Sequence, residues 1–166
     1  MEKKVTNFKS CLKNMPDILV SCRSKKGENN ALAVGYACNC SYDPPMVMVG
    51  IVPSRYSYEI IKETGEFVVN LVHEELREKY KYLGSHSGRD EYKLEVLKMK
   101  IGDAIKINSP LLLDCPVNIE CKVIDSIKTG SHEMFIGKVE YIHAKAELID
   151  DNGNIDYSKI NFLKFR

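Results

Sequence analysis

Cys38-Asn39-Cys40 sets two thiols one residue apart, a spacing at which both sulfur atoms can ligate a soft metal ion. Four-coordination would have to recruit Cys115 and Cys121, or histidines, from far along the chain. The competing reading is that the thiols stay reduced and pack as small hydrophobes. The six cysteines, Cys11, Cys22, Cys38, Cys40, Cys115 and Cys121, form an even count that invites a disulfide framework. Context argues against one. The N-terminus carries charge without the apolar run of a secretory signal, and no stretch approaches the ~20 apolar residues of a membrane span. The expectation is a cytoplasmic protein with free thiols, no metal and no membrane partner, in which Cys11, Cys22, Cys115 and Cys121 serve as packing residues.

The usual catalytic signatures are absent from the sequence. There is no G-x-G-x-x-G turn, no Walker-type phosphate loop, no G-x-S-x-G elbow and no H-E-x-x-H. A Rossmann dehydrogenase, a serine hydrolase and a zinc protease are therefore not expected. Such a chain can still host chemistry if a cofactor supplies it. Lys plus Arg is 24 and Asp plus Glu is 23, a net charge of +1, so no field recruits a polyanion and nucleic acid is not an expected partner.

The elements that would position any such site read mainly as strands. With 166 residues, one domain of roughly 100 to 200 residues spanning 1–166 is expected. No repeat or linker interrupts it. Residues 18–22 read as a strand, Gly27-Glu28-Asn29-Asn30 as a turn, and residues 31–40 as the hairpin partner. Ala31, Ala33, Gly35 and Ala37 alternate onto one face of that partner, leaving bare backbone open to close approach. After Pro44-Pro45, residues 46–52 are a continuous apolar run, expected to be a central, doubly buried strand. A helix over 59–63 ends at Gly65, and residues 66–72 form the next strand. A second helix is expected over 74–82, then a mobile glycine-serine loop over 84–90. Val117, Ile119, Cys121 and Val123 alternate with Asn118, Glu120 and Lys122, so the second set is expected to face solvent or a partner. Residues 133–142 should complete a hairpin with that strand. The sum is an antiparallel, mainly β barrel with two inserted helices.

From Asn30 to Leu71 the order of features resembles the flavin reductase family, and its flavoredoxin-like members in particular. A small-residue strand leads to Ser41, Pro44-Pro45 and a hydrophobic strand. A short helix begins at Ser54-Arg55-Tyr56-Ser57, and Gly65-Glu66-Phe67-Val68-Val69-Asn70 matches a G-x-F-x-x-N strand. Gly84-Ser85-His86-Ser87-Gly88-Arg89-Asp90 with Lys93, and later Gly130-Ser131-His132 before Met134-Phe135-Ile136-Gly137, extend the resemblance to roughly residues 17–141. Leu83 stands where those members often have cysteine, and Leu94 where they have phenylalanine.

The resemblance implies an FMN-binding split β-barrel, Greek-key-like and working as a homodimer, that passes electrons from NADH or NADPH, or from a redox protein partner, through the flavin to a flavin or other small acceptor. A non-catalytic FMN carrier or store on the same barrel is the alternative. Arg55 and Ser57 would bind the FMN phosphate through a guanidinium fork, a hydroxyl and free helix amides; otherwise Ser57 caps the helix and Arg55 is solvated. Ala37, Cys38, Asn39, Cys40 and Ser41 lie on the strand that meets the flavin, their backbone amides being donors to the ring. Asn70 either orients the pyrimidine end of the ring or satisfies a strand terminus. Lys93 adds positive charge near the phosphate or ring, or is a surface lysine. His132 is the candidate catalytic residue, positioned over the flavin face where nicotinamide or an acceptor stacks.

Overall fold

The computed structural model describes residues 1–7 and 9–165. The first apolar run forms β1 (Ile18–Arg23), and Gly27, at a left-handed φ of 87°, supplies the turn that returns the chain as β2 (Asn29–Val34). The expected single partner strand over 31–40 is two strands. The chain bends at Gly35-Tyr36, and β3 (Ala37–Ser41) pairs with β4 (Met46–Ile51) instead of β1. Helix α1 (Tyr56–Thr64) ends at Gly65, whose φ of 68° and N–H bond to the Ile61 carbonyl form the predicted left-handed stop. Then come β5 (Glu66–Leu71), α2 (Arg77–Ser85), a short α3 (Lys93–Val96) that the sequence reading missed, and the two-residue strands β6 (Ile101–Gly102) and β7 (Leu111–Leu112). The long hairpin β8 (Val117–Lys128) and β9 (Glu133–Ala144) follows.

The large sheet runs β2-β1-β5-β8-β9-β4-β3 and its pairs are antiparallel. Its two edge strands, β2 and β3, are consecutive in sequence. A two-residue link cannot span an open seven-stranded sheet, so the sheet curls until its edges approach, and the Gly50 N–H stitches the corner by donating to the Tyr36 carbonyl at 2.8 Å. The step from β4 to β5 jumps over β9 and β8 by way of α1, giving the Greek-key-like order. β4 lies next to an edge and its Met46 and Met48 are only half-buried, because their side of the strand is the outer one.

Inside the curl, Ile18, Val20, Val34, Val49, Phe67 and Phe135 pack with Ile60 and Ile61 of α1. Phe67 and Phe135 are fully buried, each contributing about 1.5–3 kcal/mol by removal from water. Gly137 makes room for Phe67, since a Cβ there would lie 2.5 Å from Phe67 Cζ. The outer face of β1 and β2 is covered by Tyr80, Leu83, Leu94 and Met99 against Leu19 and Ala31. The bulk that approaches Ala31 is thus protein.

Two sequence expectations fail. Asn118 and Glu120 are buried, because residues 105–112 fold over that face of β8 and bring polar partners. The amides of Ile105 and Lys106 donate to the Glu120 carboxylate at 2.7 Å each, and the Asn118 amide donates to the Leu112 carbonyl at 2.9 Å. Cys11 is exposed, whereas Cys22, Cys115 and Cys121 are buried as expected.

Candidate functional site

Ser57, Ile60 and Ile61 recur at helical spacing and form the buried face of α1. That periodicity pulls Ser57, in the first turn, off the surface and into the barrel wall. Its hydroxyl accepts from the buried Asn30 amide on β2 at 2.8 Å. Arg55 caps the helix in an extended conformation without a side-chain capping bond and is exposed; the Tyr58 N–H donates to its carbonyl at 3.0 Å, while the earlier amides of the helix have no carbonyl one turn back to bond.

The glycine-serine segment closes over this helix start. Gly84 lies against Ala33, and Gly88 sits so close to Asn30 and Tyr56 that a Cβ there would fall 2.5 Å from Asn30 Oδ1. Arg89 donates to the Ser54 carbonyl at 2.8 Å, pairs with Glu59 and lies over the Tyr56 ring. Of the segment expected to be a mobile loop, Gly84 and Ser85 close α2, and Gly88 and Arg89 hold the remainder against the start of α1. Lys93, read as either a site or a surface lysine, is buried and donates to the Leu83 carbonyl at 3.0 Å. Burial, reinforced by the positive charge of Arg55, holds its ammonium down to about 8. Beneath it, burial pushes the Cys22 thiol up to about 12.

Asn30, Arg55, Ser57, Gly88 and Lys93 line a cavity of about 200 Å³, walled also by Leu32, Leu83, His86 and Ser87. Arg55, Ser57 and Lys93 are brought together in it as predicted. Among the described residues lining it there is no carboxylate. The donor set of guanidinium, ammonium, hydroxyls and helix amides suits a small polyanion such as a phosphate ester, so the residues present fit the FMN phosphate. Asn30, His86, Ser87 and Gly88 were not predicted as lining residues. His86 stacks on Tyr82 at 3.7 Å between ring centroids, an arrangement visible in the sequence only as an i, i+4 aromatic pair.

The other predicted residues fall elsewhere. Cys38, Asn39 and Cys40 are exposed on β3, an edge strand, with Ala37 and Ser41 half-buried at its ends. His132 ends the turn between β8 and β9, where its ring meets Tyr36 edge-on at 4.8 Å and its Nδ1 lies 2.7 Å from the Ser131 hydroxyl. Tyr36 immediately precedes Ala37, which places His132 at the start of β3. Asn70 does not line the cavity. Its amide donates to the Ser21 hydroxyl at 2.9 Å and to the Leu19 and Val68 carbonyls, and its oxygen accepts from Asn118 at 2.7 Å and from the Leu112 N–H. That geometry supports the strand-bracing reading of Asn70.

One unpredicted carboxylate fixes α1 relative to the turn that holds His132. Glu133, buried beside His132, accepts from Tyr58 of α1 and Ser126 of β8 at 2.5 Å each and from Lys62 at 3.1 Å. The Ser126 hydroxyl, with Tyr58 and Lys62, holds its carboxyl at about 2 despite burial. A larger cleft of about 390 Å³ near the chain ends, between residues 14–18 and 162–164, is walled mostly by apolar side chains and holds none of the predicted residues.

A family model described as the flavin reductase like domain matches residues 14–159. A protein of Archaeoglobus fulgidus is 30% identical over 136 residues, 82% of this chain and 77% of that one. The NADH:riboflavin 5'-phosphate oxidoreductase of Streptomyces pristinaespiralis is 26% identical over 74% of this chain and 66% of its own length. Among solved structures, the flavoredoxin of Methanosarcina acetivorans superposes with a TM-score of 0.89 at 26% identity, covering 98% of this chain and 85% of that one. The flavoredoxin of Desulfovibrio vulgaris gives 0.88 at 25%, covering 95% and 85%.

Proposed function

This chain belongs to the flavin reductase-like family, and from that premise we propose that it is an FMN-binding oxidoreductase. It takes electrons from NADH or NADPH, or from a redox partner, and passes them to a flavin or other small acceptor. The observation that carries the reading is the carboxylate-free cavity at the start of α1, where Arg55, Ser57 and Lys93 converge. Bound FMN supplies the two-electron chemistry.

The chain's own residues bind and orient. Arg55, the Ser57 hydroxyl and the first-turn amides of α1 hold the phosphate, while Lys93 adds charge from below. The edge strand β3 leaves one row of backbone groups unpaired by the sheet, and alternate amides within residues 37–41 on that row would donate to the ring edge. His132, braced by Tyr36 and Ser131, positions the nicotinamide or acceptor. No dinucleotide motif is needed, because a nicotinamide can dock on the ring in an open cleft. Ile124, Ile127, Tyr141 and Ile142 are exposed on the long hairpin, apolar surface of the kind a second copy covers, which supports a homodimer completing the open side of the site. Among the described residues no helix is long and apolar enough to cross a membrane.

Anaerobic addition of NADH or NADPH to the FMN-loaded protein tests the reading: the oxidised-flavin absorbance should bleach, and His132→Ala should slow the bleaching while leaving FMN affinity unchanged. Yellow protein that neither nucleotide bleaches makes it a carrier, and protein that takes up no FMN overturns the reading.

A further inference from the structure

Cys38 and Cys40 differ from the buried thiols in their surroundings. Cys22, Cys115 and Cys121 are enclosed, and burial pushes each thiol up to about 12, which leaves them inert near neutrality. Cys38 and Cys40 are exposed on a strand that pairs with β4 alone. In regular strand, residues two apart point to one side with Cα atoms roughly 6.6–6.8 Å apart, at the upper limit of about 6.8 Å that a disulfide bridges. The register of β3 on β4 shifts between Asn39 and Ser41, which makes Cys40 the extra residue of a β-bulge. A bulge bends its strand and leaves that residue outside the ladder, which releases Cys40 from the fixed spacing of regular strand, so moving it towards Cys38 would break no ladder pairing of its own. The thiol of Cys40 is raised by burial and by the charge of Cys38, as expected of two sulfur atoms that sense each other.

We propose that Cys38 and Cys40 form a dithiol–disulfide couple that carries electrons from reduced flavin to a low-molecular-weight disulfide. This rests on the FMN reading, which puts β3 against the ring. In the first half-reaction the Cys38–Cys40 bond breaks, two electrons and two protons from reduced flavin convert it to two thiols, and the flavin returns oxidised. In the second, the Cys38 thiolate attacks one sulfur of the acceptor and releases its first thiol. Cys40 then attacks Cys38 in the mixed disulfide, restores the internal bond and releases the second thiol. The raised thiol of Cys40 suits this second, intramolecular step, where proximity replaces intrinsic reactivity.

The test uses full-length FMN-loaded protein oxidised with diamide, with Cys38→Ser and Cys40→Ser as controls. Intact mass should fall by two hydrogens in the wild type only, with the link mapped to these two residues. Anaerobic photoreduction should then take up about twice as many electrons per bound flavin in the wild type as in either variant, because one two-electron couple has been added to another. Coloured protein with unchanged mass, or with electron uptake equal to the variants, overturns the couple while leaving FMN binding standing. Protein that stays colourless with FMN overturns the reading on which the couple rests, whatever the mass shows.

Discussion

The buried amide of Asn30 on β2 donates to the hydroxyl of Ser57 in the first turn of α1 at 2.8 Å, locking the barrel wall to the helix start beside the cavity that Arg55 and Lys93 also line. Removing the Ser57 hydroxyl takes away a direct contact to a charged group, worth ~1.5–3 kcal/mol. Ser57→Ala should therefore weaken FMN binding by roughly ten- to a hundredfold. Asn30→Ala removes the bond that orients Ser57 and should cost about fivefold, the scale of an ordinary hydrogen bond. Neither should change riboflavin affinity in isothermal titration.

If Lys93 faces the FMN phosphate as proposed, FMN affinity should depend on pH. Its ammonium titrates near 8 in the folded protein, below its ordinary range, because of burial and Arg55. FMN affinity should fall as pH rises through about 8, and Lys93→Met should flatten the profile. The unliganded protein should move the opposite way. With the folded value depressed, the unfolded chain binds the extra proton between about 8 and the ordinary lysine value near 10.4, so this group raises stability as pH climbs through that window. Thermal unfolding with and without FMN across the range separates the two slopes.

Glu133 should set part of the acid limit. Its carboxyl is held at about 2, first by Ser126, then by Tyr58 and Lys62, against an ordinary value of about 4.3. A depressed carboxyl contributes stability that is fully present above its unfolded value and lost as pH falls through the folded one. The melting-temperature gap between wild type and Glu133→Gln should be widest near neutrality and close between about pH 4.3 and 2. A gap independent of pH would contradict this role.

Gly137 is a packing requirement. An added Cβ would meet Phe67 Cζ at 2.5 Å and Cys121 Cβ at 2.9 Å, so Gly137→Ala should destabilise by about 1–3 kcal/mol through displacement of Phe67. Chemical denaturation checks this. FMN affinity should survive in the folded fraction, since Gly137 does not line the cavity.

The strands were legible because their apolar runs and turn residues are local signals, and α1 was legible through its Gly65 stop. The β2–β3 split was not, since its cause is closure of the sheet around Gly35-Tyr36. The burial of Asn118 and Glu120 was hidden for a similar reason: alternation marks the polar face of β8 but cannot show that residues 105–112 fold onto it. Arg55, Ser57 and Lys93, which line one cavity, were singled out through an ordered motif set. Asn30 reaches Ser57 across 27 positions, and Glu133 reaches Lys62 and Tyr58 across 71 and 75, pairings that one sequence does not display. The bonds of Asn70 run mainly to distant strands, so its spacing alone could not separate a ring contact from a brace.

The central claim, that the start of α1 holds the phosphate of FMN, is tested most directly by titrating flavin-free protein with FMN and with riboflavin under identical conditions. Charge-assisted contacts to a phosphate predict that FMN binds about a hundredfold or more tighter, and that Arg55→Ala removes much of that preference. Equal affinity for the two flavins, or a preference that Arg55→Ala leaves intact, would contradict the account.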